Sequence, residues 1–465
     1  MIPSPSVTPS VVTQPVSTRK LARWHVSMIS VGGVIGAGLF VGTSATIAAA
    51  GPAVLLAYLG AGAIVWVVML LLGELAIQHK GQGSFVTHVA SVLGWRSGFV
   101  TGWSYAFLWI VTGAAQAVAG GMILGELFSI PPLMGSIALV AFALLMNALP
   151  VRVYGESEAA LSLLKLIALA LFIGLGVLWA METPAALEHI NSNLFDHGGI
   201  FPRGIWAVPA VIPMIVQTFT GCEIAFVASV ESENPERNIR EIVTRLPFLV
   251  LLFYLGSVLV ILCLRPWTEV VSGHSPFLLV MRYLDIPFAE MATIIMTLLA
   301  VLSCLNSSKY VVSRVLRELS DLGCAPRILV RSSRFGVPVA AVALTAALEV
   351  FIILTAAWSP SSVYTILLGA SGTLILFAYL MASISCLRLK TPSKKCWISL
   401  LAMLSSVIML ALFLVIPCFP DTRVDGAFAF GFITLALCVS MLIRAQLPGR
   451  AAVNSDLHEE NFIRR

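Results

Sequence analysis

The sequence predicts an all-α polytopic membrane protein of about twelve transmembrane helices. Three observations carry that prediction. Hydrophobic residues make up 58% of the chain and charged residues only 11%, whereas a soluble domain carries about 25% charged residues. Apolar runs of spanning length recur through nearly all of the 465 residues, and no polar stretch between them is long enough to fold alone. The first run, moreover, is interrupted at its centre by Gly32, Gly33, Gly36 and Gly38, where a lipid-facing helix should be most continuous.

Taken in order, residues 1–18 are polar, rich in Ser, Thr, Pro and Val, and read as a disordered cytoplasmic tail. They lack the basic start, apolar stretch and small-residue cleavage site of a removable signal peptide. A transporter domain follows over 19–445, and 446–465 reads as a cytoplasmic C-terminal tail. Spanning runs fall near 24–49, 53–77, 96–126, 133–149, 157–181, 206–230, 245–264, 287–316, 337–357, 361–386, 397–417 and 426–443. Between the second and third, Gly81-Gln82-Gly83-Ser84-Phe85 and the mixed segment to Gly94 read as a short in-plane or re-entrant helix.

Charge placement orients the bundle. With twelve spans and an inside N-terminus, outside loops hold only Arg203, Arg265, Arg282 and Arg423 of the 28 Lys and Arg residues. Lys165 and Lys309 fall within spans, and all the others lie inside, including the clusters Arg327-Arg331-Arg334 and Lys394-Lys395. This asymmetry predicts both termini in the cytoplasm. The net charge of +5 is that loop bias and calls for no nucleic-acid partner. The eight cysteines and seven histidines show no metal-ligand spacing, so neither a metal nor another cofactor is expected. No phosphate-cradling Gly-rich loop suggests ATP hydrolysis, and no Ser/His/Asp arrangement suggests an enzyme.

The sixth run carries a second interruption, Gln217-Thr218-Phe219-Thr220-Gly221-Cys222-Glu223, downstream of Pro209 and Pro213. Backbone groups freed by a break cannot face lipid, so each break must line a cavity or another helix. Two breaks five helices apart point to a five-plus-five inverted repeat with spans one and six facing each other at mid-membrane. Residues Ile35 to Gly38 and Thr218 to Gly221 are the expected non-helical segments. Free N–H groups of the half-helix after Gly36 suit a carboxylate, and unwound carbonyls from Thr218 to Gly221 suit an ammonium. One anion socket beside one cation socket is complementary to an amino acid. Val34, Ile35, Gly36, Ala37 and Gly38, with Thr218, Phe219, Thr220 and Gly221, are therefore candidate substrate-binding residues.

With these motifs in view, the chain resembles the amino acid–polyamine–organocation superfamily, and within it the bacterial permeases for aromatic, γ-aminobutyrate, D-serine/D-alanine/glycine and similar substrates. The resemblance runs from about Leu21 to Arg444. It rests on Gly33-Val34-Ile35-Gly36-Ala37-Gly38-Leu39-Phe40, Ala50-Gly51-Pro52-Ala53, Gly73-Glu74-Leu75-Ala76, Gly83-Ser84-Phe85, Gly102-Trp103-Ser104-Tyr105, Gly155-Glu156-Ser157-Glu158, Glu233-Asn234-Pro235, Ser275-Pro276-Phe277 and Ser303-Cys304-Leu305-Asn306-Ser307. It implies a twelve-helix inner-membrane importer, usually proton-driven, in the broken-helix fold of sodium-coupled leucine symporters, with helices 11 and 12 peripheral. The chain departs from the family pattern at Ala37, where threonine is usual, at Thr220 and Cys222, and at Tyr379, often tryptophan. Gln116 stands where helix 3 usually carries an acid, which argues against cationic substrates. Lys309 stands where a small or aliphatic residue is usual.

Lys165 lies deep in the fifth run, in Leu163-Leu164-Lys165-Leu166-Ile167. Intramembrane lysines are costly and tend to be functional, and a buried lysine exchanges its proton readily. By resemblance it occupies the place of a sodium ion in sodium-coupled relatives. It is the candidate proton-coupling residue; the alternative is a static brace for the first span. Glu223 either shares that proton path or holds unwound backbone amides. Gln116 is a candidate for a substrate side chain, and Ser303 and Asn306 for supporting the first break. Glu349 is an unexplained acid in an apolar run. The reading is a proton symporter of a neutral amino acid working by alternating access in the lipid bilayer. A transporter-like sensor, or an exchanger or uniporter of the same fold, is the alternative.

Overall fold

The computed structural model describes residues 34–78, 84–147, 151–224, 235–331, 338–389, 396–418 and 423–445. Both predicted tails, Gly33, the Gly81–Gly83 stretch, Glu233 and Asn234, Arg334 and the Lys394-Lys395 pair lie outside them. Among the described residues every regular element is helical. The first predicted run holds α1 (Ala37–Phe40) and α2 (Gly42–Ala50), and a 3-10 turn at Gly51–Ala53 leads into α3 (Val54–Gln78). The short helix expected before the third run is α4 (Phe85–Leu93). Ser84 starts it, its hydroxyl accepting from the Val86 N–H at 3.2 Å.

The third, fourth and fifth runs are α5 (Trp95–Phe128), α6 (Pro132–Asn147) and α7 (Val151–Glu182). After a short α8 (Ala186–Asn191), the sixth run holds α9 (Ala207–Thr218), and the seventh is α10 (Pro235–Leu264). A connection containing α11 (Pro276–Leu284) leads to α12 (Ala289–Asp321), α13 (Val339–Thr355), α14 (Pro360–Arg388), α15 (Cys396–Val415) and α16 (Arg423–Ala445). Each predicted run thus contains a helix. Several helices run past the apolar stretch that announced them; α7 begins at Val151 and α10 at Pro235. Hydropathy reads the lipid-immersed length, whereas a helix can continue into the polar boundary.

Burial sorts the bundle into layers. The most apolar windows of α5 and α14 are 78% buried, against 28%, 29% and 22% for α7, α15 and α16. α5 forms the axis, packed against α6, α12, α13, α14 and α16. Its glycines permit that crowding: a Cβ on Gly113 would stand 2.2 Å from Glu349 Oε1, and one on Gly120 would stand 2.5 Å from Leu139. Small residues are what allow membrane helices to approach so closely. The outer helices carry exposed Leu171, Leu178, Val407, Leu414, Leu435 and Leu442, as a surface facing hydrocarbon must.

Candidate functional site

The first break is narrower than the sequence suggested. Ile35 and Gly36 are non-helical, but α1 begins at Ala37, and a second kink falls at Val41. Ala37 and Gly38 are helical because their turn is closed by neighbours: Leu39 N–H donates to Gly36 O at 3.2 Å and Val41 N–H to Ala37 O at 2.8 Å. The second break is shifted the other way. Thr218 ends α9, and turns run from Phe219 through Glu223. Gly221 has φ +116°, a conformation open to glycine and strained for other residues. Its N–H donates to Glu223 Oε2 at 3.0 Å.

The two breaks lie against each other. A Cβ on Gly38 would stand 3.3 Å from the Thr218 side chain. The Tyr254 hydroxyl, from α10, reaches Val34 O at 3.2 Å and Thr218 O at 2.9 Å. One phenol therefore serves a carbonyl from each interrupted span. The Phe219 ring packs 5.1 Å from the Tyr254 ring. From α14, the Tyr364 hydroxyl donates to Ala37 O at 3.2 Å. Freed carbonyls need donors; Tyr254 supplies one to Val34 O and Thr218 O, while Tyr364 adds a second donor to Ala37 O, which already accepts from the Val41 N–H. Neither was singled out from sequence. The available signal was that a buried phenol in an apolar run must find a partner.

Lys165 is fully buried and reaches the first break directly. Its ammonium donates to Ile35 O at 3.0 Å and to Ser303 Oγ at 2.6 Å. Glu158, two turns earlier on α7, lies 3.9 Å away and accepts from Ser303. Ser303 thus supports the break through Lys165. Asn306 does not: it turns to α6, where its side chain and carbonyl accept from the Asn147 amide.

Glu223 is held on every side. Tyr105 donates to Oε1 at 2.8 Å, and Tyr379 and the Gly221 N–H donate to Oε2 at 3.2 and 3.0 Å. Glu223 thus holds an amide of the second break, and Tyr379 shares in that cluster. Gln116 corrects the expected anion socket. Its Oε1 accepts the Ala37 N–H at 2.8 Å, so that donor of the first break is already taken. Gln217 Nε2 bonds Thr112 Oγ1 at 3.4 Å, while Gln217 Oε1 and Thr220 Oγ1 are buried with no hydrogen-bond partner among the described residues. Lys309 and Glu349, read separately from sequence, are partners at 2.6 Å.

Two cavities flank this core along α5. The larger, about 760 Å³, lies at the Phe128 end of α5, lined by Met122, Glu126, His274, Arg282 and Glu290, and reaches Val41 at the kink. The smaller, about 40 Å³, lies toward the Trp95 end, between Ser84, His88, Tyr105, Glu223 and Glu318. There the Ser84 N–H donates to Glu318 Oε1 at 2.7 Å and its hydroxyl to Oε2, fastening α4 to the end of α12. No cluster suited to a metal ion occurs among the described residues.

Comparison with known proteins agrees with this architecture. A family model described as Amino acid permease matches residues 25–445. The γ-aminobutyric acid permease of Bacillus subtilis is 31% identical over 449 residues, covering 94% of this chain and 96% of that protein. The γ-aminobutyric acid permease of Escherichia coli K12 is 36% identical over 369 residues, 79% of each chain. The aromatic amino acid transport protein AroP of Salmonella typhimurium LT2 is 32% identical over 370 residues, 79% of this chain and 80% of that protein. Among solved structures, a manganese transporter of Eremococcus coleocola superposes with a TM-score of 0.57 over 90% of this chain and 94% of that one. At 13% identity that likeness speaks for the fold, a broken-helix transporter fold, and for nothing finer.

Proposed function

The chain belongs to the amino acid permease family, and from that premise we propose that it imports a neutral amino acid or close relative by proton symport. The observation that carries this reading is the buried Lys165 ammonium bound to Ile35 O and Ser303 Oγ. A protonated lysine has three N–H donors. Its charge strengthens the bonds by which it ties the first break to α7 and α12. Loss of that proton leaves the two weaker N–H donors of a neutral amine and loosens the tie to the Ile35 carbonyl, linking proton transfer to the shape of the substrate region. Cavities on both sides of the breaks support alternating access. The relatives named for γ-aminobutyric acid and aromatic amino acids support an amino acid as cargo.

Neutral cargo follows from the charges. Glu158, Glu223 and Glu349, the buried carboxylates around spans three, five, six, eight and nine, are each engaged by protein donors. Gln116 offers an amide where the family resemblance implies an acid. Glu158 and Glu349 are paired with lysines, so a lysine or arginine side chain would find at most the carboxylate of Glu223, which is already held by three neutral donors. The five-plus-five repeat, the cytoplasmic termini and an inner-membrane location complete the proposal.

The test is accumulation of labelled γ-aminobutyrate, L-phenylalanine and L-alanine in proteoliposomes under an imposed pH difference. Lys165→Met keeps most of the stem volume and removes the charge. The expected outcome is retained binding with lost accumulation against a gradient. Lys165→Met protein that concentrates substrate as well as wild type would exclude this lysine as the coupling group. Wild type that binds an amino acid without accumulating it would be a sensor.

A further inference from the structure

We infer that Glu158 is the acceptor of the coupling proton, which Lys165 hands to it through the Ser303 hydroxyl. The inference rests on the reading of Lys165 as the coupling group and adds the step that follows it. Glu158 and Lys165 come from α7 and Ser303 from α12. All three are buried, Lys165 completely.

The end groups fix the direction of the chain. An ammonium can only donate and a carboxylate can only accept. The Lys165 ammonium gives an N–H to Ser303 Oγ at 2.6 Å. The single hydroxyl proton of Ser303 is then available to Glu158 Oε1, which lies within hydrogen-bond distance. The ammonium and that oxygen are 3.9 Å apart, beyond hydrogen-bond reach, so a proton passing between them goes by way of the hydroxyl.

The step balances. One N–H bond of Lys165 breaks and its electron pair stays on nitrogen. Ser303 Oγ takes that proton and releases its own to Glu158 Oε1. An ammonium and a carboxylate become an amine and a carboxylic acid, and the group carries no net charge before or after. The hydrogen bonds survive with their direction reversed: the acid donates to Ser303, and Ser303 to the amine nitrogen. Two opposing terms keep both forms within reach. The ion pair gives up its Coulomb attraction, but two neutral groups escape the desolvation penalty that buried charges carry.

Placement gives the step a sense. Glu158 stands seven residues nearer the Val151 start of α7 than Lys165 does, about 10 Å along the axis. On the topology predicted by the Lys and Arg asymmetry, that end is cytoplasmic. The hand-over thus carries a proton inward and, in the same event, weakens the hold of Lys165 on Ile35 O. A first break that loosens only as the proton moves inward is what a proton-driven importer requires.

The experiment uses the full-length protein in proteoliposomes, with whichever of γ-aminobutyrate, L-phenylalanine and L-alanine the wild type accumulates. The readouts are equilibrium exchange of labelled substrate, net accumulation under an imposed pH difference, and substrate-driven proton entry reported by a trapped pH dye. Glu158→Gln keeps an oxygen for Ser303 but cannot take up the proton. Ser303→Ala leaves both charges and removes the bridge. Each should keep exchange, which moves no net proton, while accumulation and proton entry fall together by about tenfold or more. Ser303→Thr, which restores a hydroxyl, should recover coupling. Cys304, beside Ser303 on α12, is the third titratable group near Lys165, and Cys304→Ala should stay coupled. Coupling at wild-type strength in Glu158→Gln or in Ser303→Ala overturns the inference. Loss of exchange along with accumulation in both variants overturns it too, because Glu158 is then a structural counter-ion. If only one variant fails to fold, judged by its melting temperature, the other decides. In each of these cases the transport reading stands, whereas wild type that accumulates none of the three amino acids overturns both.

Discussion

At the scale of single residues, the buried ion pair between Lys309 and Glu349 is the sharpest departure from an apolar core. Both side chains are fully buried, and they meet at 2.6 Å across spans eight and nine. Ser308 donates to the other carboxylate oxygen at 3.1 Å, and Gly113 leaves the space in which that oxygen sits. Removing one member of such a pair strands a buried charge, at a cost of about 3–5 kcal/mol, while replacing both by apolar groups of similar volume is often neutral. Lys309→Met and Glu349→Met alone should each lower the melting temperature of the detergent-purified protein sharply. The double variant should recover most of the loss. A double-mutant cycle with no coupling energy would show that the pair contributes nothing. Each residue was conspicuous in the sequence, because a charge in an apolar run is rarely idle. Their pairing was not, because 40 residues separate them and only the rotation of α12 against α13 brings them together. Lys165 and Glu223 were legible for the same reason as Lys309, and Gln116 through the family resemblance. Tyr254 and Tyr364 escaped because a tyrosine in a hydrophobic helix announces nothing until its hydroxyl is placed.

At the scale of elements, glycine revealed that spans one and six break, but tertiary bonds decide where. Ala37 joins α1 because its turn closes on Gly36 O and Ala37 O and Gln116 caps its N–H. Glu223, folding back onto the Gly221 N–H, carries the second break past Gly221. Neither bond can be read from a run of residues, since one partner comes from another helix and the other depends on the turn itself. Gly221 sits at φ +116°, where any other residue is strained by about 1–3 kcal/mol. Gly221→Ala should therefore destabilise the protein and slow uptake, even though it adds one methyl group. Gly60, within α3, is the control. A Cβ there meets only Ile212, at an ordinary 3.5 Å, and alanine favours a helix interior by about 1 kcal/mol. Gly60→Ala should melt at or above the wild-type temperature and transport normally. Equal behaviour of the two variants, measured by thermal unfolding and by proteoliposome uptake, would mean that the turn geometry at Gly221 is not required.

At the scale of the whole molecule, the apolar helical runs were legible because lipid imposes a length and a polarity on every crossing. The layering was written only faintly: α5 and α14 are less hydrophobic than α7 or α15 and far more buried. Sidedness remains a deduction from the Lys and Arg asymmetry, and three cysteines make it measurable. Cys396 begins α15, and Cys418 ends the 3-10 turn that follows it; both are exposed free thiols. They therefore stand at opposite ends of the eleventh span, Cys396 on the cytoplasmic side and Cys418 outside if the positive-inside rule holds. Cys324, in the connection after α12, is buried, and burial pushes its thiol up to about 12. Since the thiolate is the reactive form and a free cysteine titrates near about 8.5, Cys324 should stay inert at pH 7.5 and gain little on raising the pH to 9. A membrane-impermeant maleimide applied to intact cells should label Cys418 alone of these three, and that labelling should vanish in Cys418→Ser. Cys396 should react only after the membrane is opened, and Cys324 only after denaturation. Labelling of Cys396 and not Cys418 in intact cells would invert the topology, placing the 760 Å³ cavity on the cytoplasmic side and turning the proposed importer round in the membrane.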